Sequence, residues 1–428
     1  MNQARHLIRA VGLPGAVMMG LGSIVGTGVF VSLGLAAGIA GPAMILALLL
    51  AGILAVCNGL SSAQLAAAHP VSGGTYEYGY KYVNGWAGYL AGWLFVCAKS
   101  ASAATAALGF GGYFIKLLNL DFIAAWQVGL LVAALVVLVA ALGIKRSNLT
   151  NIVIVSITLV TLGVYVVTSI PQFHIDNFRP VFQNFANDKN TFPSFFEATA
   201  LMFVAYTGYG RVATLGEEII DPVRNIPKAI IATLAISFVV YMLVAITSIG
   251  AVGAEVFFIG TIEDVAPLQV ISESIHNPIV AVVLSLGAMT AMLGVLLNLI
   301  LGLSRVIFAM GRKGDLPSFF AHVGAADHTP IVAVLTSGAV IMSLVLLKDI
   351  KIAWSFSAFT VLIYYAITNI SALRLPADKR LYPRMFTWLG LLGCLSLGFW
   401  VEGEALVLGF MVLLAGVAWR VIYQRCRR

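Results

Sequence analysis

Twelve apolar stretches follow one another along this 428-residue chain, most of them about twenty residues long and nearly free of charge. About twenty such residues cross the hydrocarbon core of a bilayer as a helix, the only open-ended structure that satisfies its own backbone there. Hydropathy places them at 13–36, 39–67, 83–116, 122–143, 149–170, 191–216, 227–252, 277–311, 330–347, 351–374, 384–401 and 403–423. The expected fold is an all-α polytopic membrane protein of twelve transmembrane helices. Only 10% of the residues are charged, where a soluble domain carries about 25%, so no separate soluble domain is expected.

The net charge of +7 does not point to nucleic acid, because the basic residues stand singly at the ends of apolar stretches. That placement is a topology signal. With the N-terminus inside, eighteen of the twenty-five Lys and Arg fall on the cytoplasmic side, among them Arg5, Arg9, Lys145, Arg146, Arg224, Lys228, Arg312, Lys313 and Arg428. Lys116, Arg179, Lys189, Lys348 and Lys351 fall outside, and Lys99 and Arg211 lie within spans. Both termini are thus expected in the cytoplasm, with the first apolar stretch retained as a helix. The loop 253–276, which carries no Lys or Arg, is expected outside. The four cysteines, Cys57, Cys97, Cys394 and Cys426, have no metal-ligand spacing and read as free thiols. The chain has no H-E-x-x-H, P-loop or haem motif, so neither an enzyme nor a cofactor or metal is expected.

Two spans are interrupted by glycine. Span one carries Gly20-Leu21-Gly22-Ser23-Ile24-Val25-Gly26-Thr27-Gly28-Val29-Phe30, and span six carries Phe203-Val204-Ala205-Tyr206-Thr207-Gly208-Tyr209-Gly210-Arg211. Such glycines either unwind the helix or let neighbouring helices pack closely. Corresponding Gly-interrupted spans in two halves of a chain point to a transporter binding site at a repeat interface. Spans one to five start inside and spans six to ten outside, so the halves would be inverted repeats, 13–170 and 191–374, with two extra helices in 384–428. If span one unwinds near Gly26-Thr27-Gly28, its second half begins with unpaired amides and a positive dipole end, suited to a carboxylate, with the Thr27 hydroxyl beside them. Free carbonyls at Ile24, Val204 and Thr207, next to Gly208, suit an ammonium. One α-amino acid satisfies both sets.

Four motifs then identify a relationship. They are Gly22-Ser23-Ile24-Val25-Gly26-Thr27-Gly28-Val29-Phe30; Pro70-Val71-Ser72-Gly73-Gly74-Thr75-Tyr76-Glu77-Tyr78; Val204-Ala205-Tyr206-Thr207-Gly208-Tyr209 followed by Gly216-Glu217-Glu218; and Ser304-Arg305 through Gly314-Asp315-Leu316-Pro317, with Thr329-Pro330 beyond. In this order they resemble the amino acid–polyamine–organocation (APC) permeases over essentially the whole chain. The resemblance implies a LeuT-like 5+5 inverted repeat with discontinuous helices 1 and 6, alternating access, and the substrate roles just given to Ile24, Gly26, Thr27, Gly28, Val204, Thr207 and Gly208. Family members often carry a bulky aromatic at the position of Val204; here Phe203 precedes it.

The resemblance also bears on coupling. Sodium-coupled relatives use span-eight hydroxyls where this chain aligns Leu293 and Gly294, and some sodium-independent members have a span-five lysine where Thr158 aligns. Sodium coupling is therefore disfavoured. Phe203, Tyr209, Lys99, Arg211 and Thr158 are the gating or coupling candidates, with Arg211 paired to Glu217 or Glu218 as a gate. With no acidic residue near either break, small or medium neutral L-amino acids are the expected substrates. A cationic or broad-range amino acid/polyamine permease, and a non-transporting amino acid sensor, are the alternatives. The expected partners are that small molecule and the lipid bilayer. No nucleic acid is expected and, since the loop Lys116 to Asp121 lacks cysteine, no disulfide-linked heavy subunit.

Overall fold

The computed structural model describes residues 9–71, 73–120, 122–142, 148–186, 191–214, 216–322 and 330–427. Arg5, Ser72, Lys145, Arg146, Lys189, Thr329 and Arg428, used above for orientation or motif matching, lie outside these. Among the described residues the chain is helical, with one isolated parallel bridge, Val11 to Ile219.

In chain order the helices are α1 (Leu13–Ile24), α2 (Leu33–Ala40), α3 (Met44–Ala68), α4 (Thr75–Tyr78), α5 (Gly85–Leu118), α6 (Ala125–Ala141), α7 (Asn148–Ser169) and α8 (Thr191–Tyr206). They continue with α9 (Gly210–Ala213), α10 (Pro222–Ile262), α11 (Pro267–Ser274), α12 (Pro278–Lys313), α13 (Ile331–Val345), α14 (Ile350–Leu373), α15 (Arg384–Gly398) and α16 (Gly403–Arg427). Each stretch expected from hydropathy falls on helix. Seven helical stretches are long and apolar enough to cross a membrane, α1 to α3 counting as one, and α6, α13 and α15 are shorter apolar helices.

Local signals set several ends. Asn84 accepts a hydrogen bond from the Ala87 amide at 2.8 Å to open α5, and Asp349 one from the Ile352 amide at 2.9 Å to open α14. Gly314, at φ +77°, closes α12 in the left-handed conformation that glycine adopts without strain. The stretch 253–276 is more ordered than a loop. Gly253, at φ +81°, breaks α10, and helix resumes to Ile262 before α11.

α5 and α14 are mostly buried, whereas α7 and α16 turn most of their apolar side chains outward, as lipid-facing helices do. α5 packs on α12, α14 and α6 and is rich in buried small residues, Ala101, Ala103, Ala104, Ala107 and Gly111 among them. Small side chains let helix backbones approach where the lipid offers no hydrophobic drive.

On the side of the chain ends, the second and fourth motifs meet. The Asp315 carboxylate accepts from the Tyr76 hydroxyl at 2.9 Å and the Tyr80 hydroxyl at 2.6 Å. Burial, together with this carboxylate, pushes both phenols above their usual range, so they stay protonated donors. Arg420 of α16 stands 3.4 Å from Asp315, a charge pairing rather than an aligned hydrogen bond, with its guanidinium over the rings of Trp86 and Tyr89. Lys313 pairs with Glu77 at 2.6 Å.

Candidate functional site

α1 ends at Ile24 because Val25 is extended (φ −78°, ψ 93°), and helical bonding resumes as a π-helical turn, Gly28–Ser32. The Val29 and Phe30 amides donate back to the Gly26 carbonyl. By position, the amides of Gly26, Thr27 and Gly28 lead the second half of this helix, where the first turn has no upstream carbonyls to bind. The Thr27 hydroxyl is buried, with 3% of the residue exposed, and has no hydrogen-bond partner.

The second interruption is milder than expected. α8 passes into a 3₁₀ turn, Thr207–Tyr209, without leaving right-handed helical angles, and α9 ends four residues later. A 3₁₀ turn still changes the carbonyl partners at a helix end. The Thr207 hydroxyl donates to the Val204 carbonyl at 2.8 Å, and the Tyr365 hydroxyl donates to the Thr207 carbonyl at 3.2 Å. Each carbonyl keeps a second lone pair.

The two segments face each other. Ile24, Thr27, Gly28, Val204, Thr207 and Gly208 share one cavity with Lys99 and Ser102 of α5, Val295 of α12 and Trp354 of α14. Its volume is about 30 Å³, a narrow space between the two interrupted segments. Lys99 Nζ donates to Thr207 Oγ1 at 3.0 Å.

The glycines serve contact rather than backbone freedom. Gly26, Gly28 and Gly208 all lie outside the left-handed region. A Cβ on Gly28 would overlap the Tyr241 hydroxyl, one on Gly26 would come within 2.6 Å of Val295, and one on Gly208 would overlap the Ser23 carbonyl. The packing reading and the binding reading therefore describe the same place.

The remaining candidates are arranged otherwise. Gly26 lies beside the cavity behind Val295. Phe203 and Tyr209 are fully buried and both pack on the Tyr365 ring, at 5.7 and 5.5 Å between centroids. Neither lines the cavity. Arg211 also lies outside the lining; of its two candidate gating partners, Glu217 and Glu218, the second pairs with Arg305 of α12 at 3.5 Å. Thr158 donates to the Ile154 carbonyl of its own helix at 2.8 Å and does not reach the cavity.

Tyr241 of α10 has a part that the sequence reading missed. Its hydroxyl lies 2.8 Å from the Ile24 carbonyl and 3.2 Å from the Ala205 carbonyl, so one proton is shared between the ends of both interrupted segments. A tyrosine amid Phe238-Val239-Val240 and Met242 was a usable signal, because a buried phenol seeks a partner. Tyr241→Phe leaves both buried carbonyls without that donor, at a cost of about 1–3 kcal/mol. Lower thermal stability in detergent and a raised KM for transport are expected, and an unchanged stability and KM would show that the hydroxyl holds neither end.

Comparison with known proteins bears on family and fold. The amino acid permease family profile matches residues 11–425. An uncharacterized transporter of Mycobacterium tuberculosis (strain ATCC 25618 / H37Rv) is 39% identical over 436 residues, covering 99% of this chain and 94% of the relative. The methylthioribose transporter of Bacillus subtilis (strain 168) is 29% identical over 346 residues, covering 77% of this chain and 73% of the relative. The crystal structure of MhsT in complex with L-phenylalanine superposes with a TM-score of 0.68 at 16% identity, covering 96% of this chain and 100% of that one. The chain is therefore a multi-pass membrane transporter rather than an enzyme, built on a LeuT-like fold, and it belongs to the amino acid permease family of the APC superfamily.

Proposed function

We propose that this transporter carries small or medium neutral L-amino acids across a bacterial inner membrane by alternating access, without sodium, through exchange or proton linkage. The observation that carries the reading is Thr27. Its buried, unpartnered hydroxyl stands beside the leading amides of the second half of helix 1, in the same cavity as the Val204 and Thr207 segment. A carboxylate at the amides and the Thr27 hydroxyl would satisfy groups that are costly to bury unpaired, and an ammonium would use the second lone pairs of the carbonyls.

Charge argues for a neutral side chain. Among the described residues, the one ionisable side chain around the cavity is that of Lys99, so a cationic side chain would meet repulsion and no counter-charge. The absence of hydroxyls at Leu293 and Gly294 argues against a sodium site there. In this reading twelve helices cross the bilayer, 13–170 and 191–374 are the inverted repeats, 384–428 adds two helices, and both termini are cytoplasmic.

The test is counterflow in liposomes with all twenty amino acids and methylthioribose as competitors, with and without sodium and a pH gradient. Saturable, stereoselective exchange led by neutral amino acids is expected. Arginine or lysine outcompeting alanine, serine and leucine would overturn the substrate class, and an absolute sodium requirement the coupling. Binding without flux would make the protein a sensor, and conductance without saturation a channel.

A further inference from the structure

Lys99 Nζ reaches Thr207, on the turn to which the transport reading assigns the amino group of the substrate. Thr207 Oγ1 gives its one proton to the Val204 carbonyl at 2.8 Å, so toward Lys99 Nζ, 3.0 Å away, it can only accept. Lys99 thus reaches the carbonyl end of the helix 6 turn through a single hydroxyl. The Thr207 carbonyl, on the same turn, holds the Tyr365 hydroxyl. Around this cavity, among the described residues, no carboxylate stands opposite Lys99. Its companions are the hydroxyl of Thr207 and the carbonyl end of a helical segment, which carries partial negative charge.

We propose that Lys99 is a tethered surrogate for the substrate amino group: it holds the helix 6 turn when the carrier is empty and yields that place when an amino acid binds. This rests on the transport reading above. The chemistry is one of replacement. Two ammonium groups at one turn repel strongly in a medium of low dielectric, so the substrate must displace Lys99 from Thr207. Without substrate, the same lysine keeps a positive charge beside the negative end of this helical segment while the carrier changes conformation. The functional consequence is that the empty carrier can return. Lys99 thereby permits net transport, and a carrier without it is confined to exchange.

The experiment compares wild type, Lys99→Met and Lys99→Arg in liposomes loaded with labelled alanine. Efflux is measured into amino-acid-free buffer (net flux) and into buffer with unlabelled alanine (exchange). The expected result is a ratio of net flux to exchange at least tenfold lower in Lys99→Met and restored toward wild type in Lys99→Arg. Alanine should also protect Lys99→Met from thermal unfolding at several-fold lower concentration than wild type, because no internal cation has to be displaced. A role limited to packing would not tighten binding. The proposal is overturned if the ratio is unchanged in Lys99→Met, if wild type shows no net flux, or if Lys99→Met is inactive and alanine protects it no better than wild type. A wild type inactive in counterflow with every competitor would instead remove the transport reading on which the proposal stands.

Discussion

Gly208→Ala is expected to lower counterflow by about thirty-fold or more while the protein remains folded in detergent. A Cβ at this position would overlap the Ser23 carbonyl and meet Ile24 at 2.6 Å. The obstructing atoms are mostly backbone, so no side-chain rotation relieves them, and overpacking of this kind costs typically 1–3 kcal/mol. If about 2 kcal/mol of that falls on the conformation that binds substrate, the rate drops by about thirty-fold. The strain lands where the two interrupted segments touch and where Ile24 and Thr27 are positioned, so it acts on the site before it acts on the fold. Gly163→Ala is the control: nothing lies within 4 Å of a Cβ there, and removing a helical glycine stabilises by roughly 0.5–1 kcal/mol. A Gly208→Ala carrier working at the wild-type rate would show that the contact between the segments is not needed for transport.

The largest loss of stability is expected from Asp315→Asn. Asp315 and Arg420 are both nearly excluded from solvent, with side chains 6% and 8% exposed. Neutralising the carboxylate leaves a buried guanidinium without its counter-ion, and breaking a buried pair from one side costs about 3–5 kcal/mol. The Tyr76 and Tyr80 hydroxyls lose a charged acceptor at the same time. Thermal unfolding of the purified protein should show the loss, and combining Asp315→Asn with Arg420→Met should recover much of it, since the stranded charge goes as well. Equal stability of wild type and Asp315→Asn would mean that water reaches the pair freely.

Most of the helical framework was legible in the sequence because lipid leaves an apolar stretch of twenty residues little choice but helix. Caps such as Asn84 and Asp349 and the closing Gly314 carry local signals that need no knowledge of the fold. The stretch 253–276 was harder: it is too polar and too short-segmented for a hydropathy window, and Gly253 hides a break inside a helix. Tyr76 and Asp315 stand 239 positions apart, and nothing in either motif says that one is the hydrogen-bond partner of the other.

At the site, sequence reasoning placed Ile24, Thr27, Gly28, Val204, Thr207, Gly208 and Lys99 in two apolar spans and a third, and the structure gathers them around one cavity. It left open whether the glycines serve unwinding or close packing. Glycine in a span permits unusual backbone angles and close approach alike, and here the φ values together with the crowded Cβ positions point to approach. Phe203 and Tyr209 were gating candidates by adjacency along the chain; a helical turn points neighbours in different directions, and both pack on Tyr365. Tyr241 and Tyr365 went unnoticed because each lies in an uninterrupted apolar run, where a single hydroxyl barely alters the hydropathy.

The shared hydroxyl of Tyr241 yokes the two interrupted helices. Because one proton serves the Ile24 and Ala205 carbonyls together, swinging either segment alone strands a buried acceptor, whereas swinging both as one lever about α10 keeps the bond. Substrate held between them would then be carried through the rotation without its cradle being pulled apart, and half-turned intermediates would be short-lived.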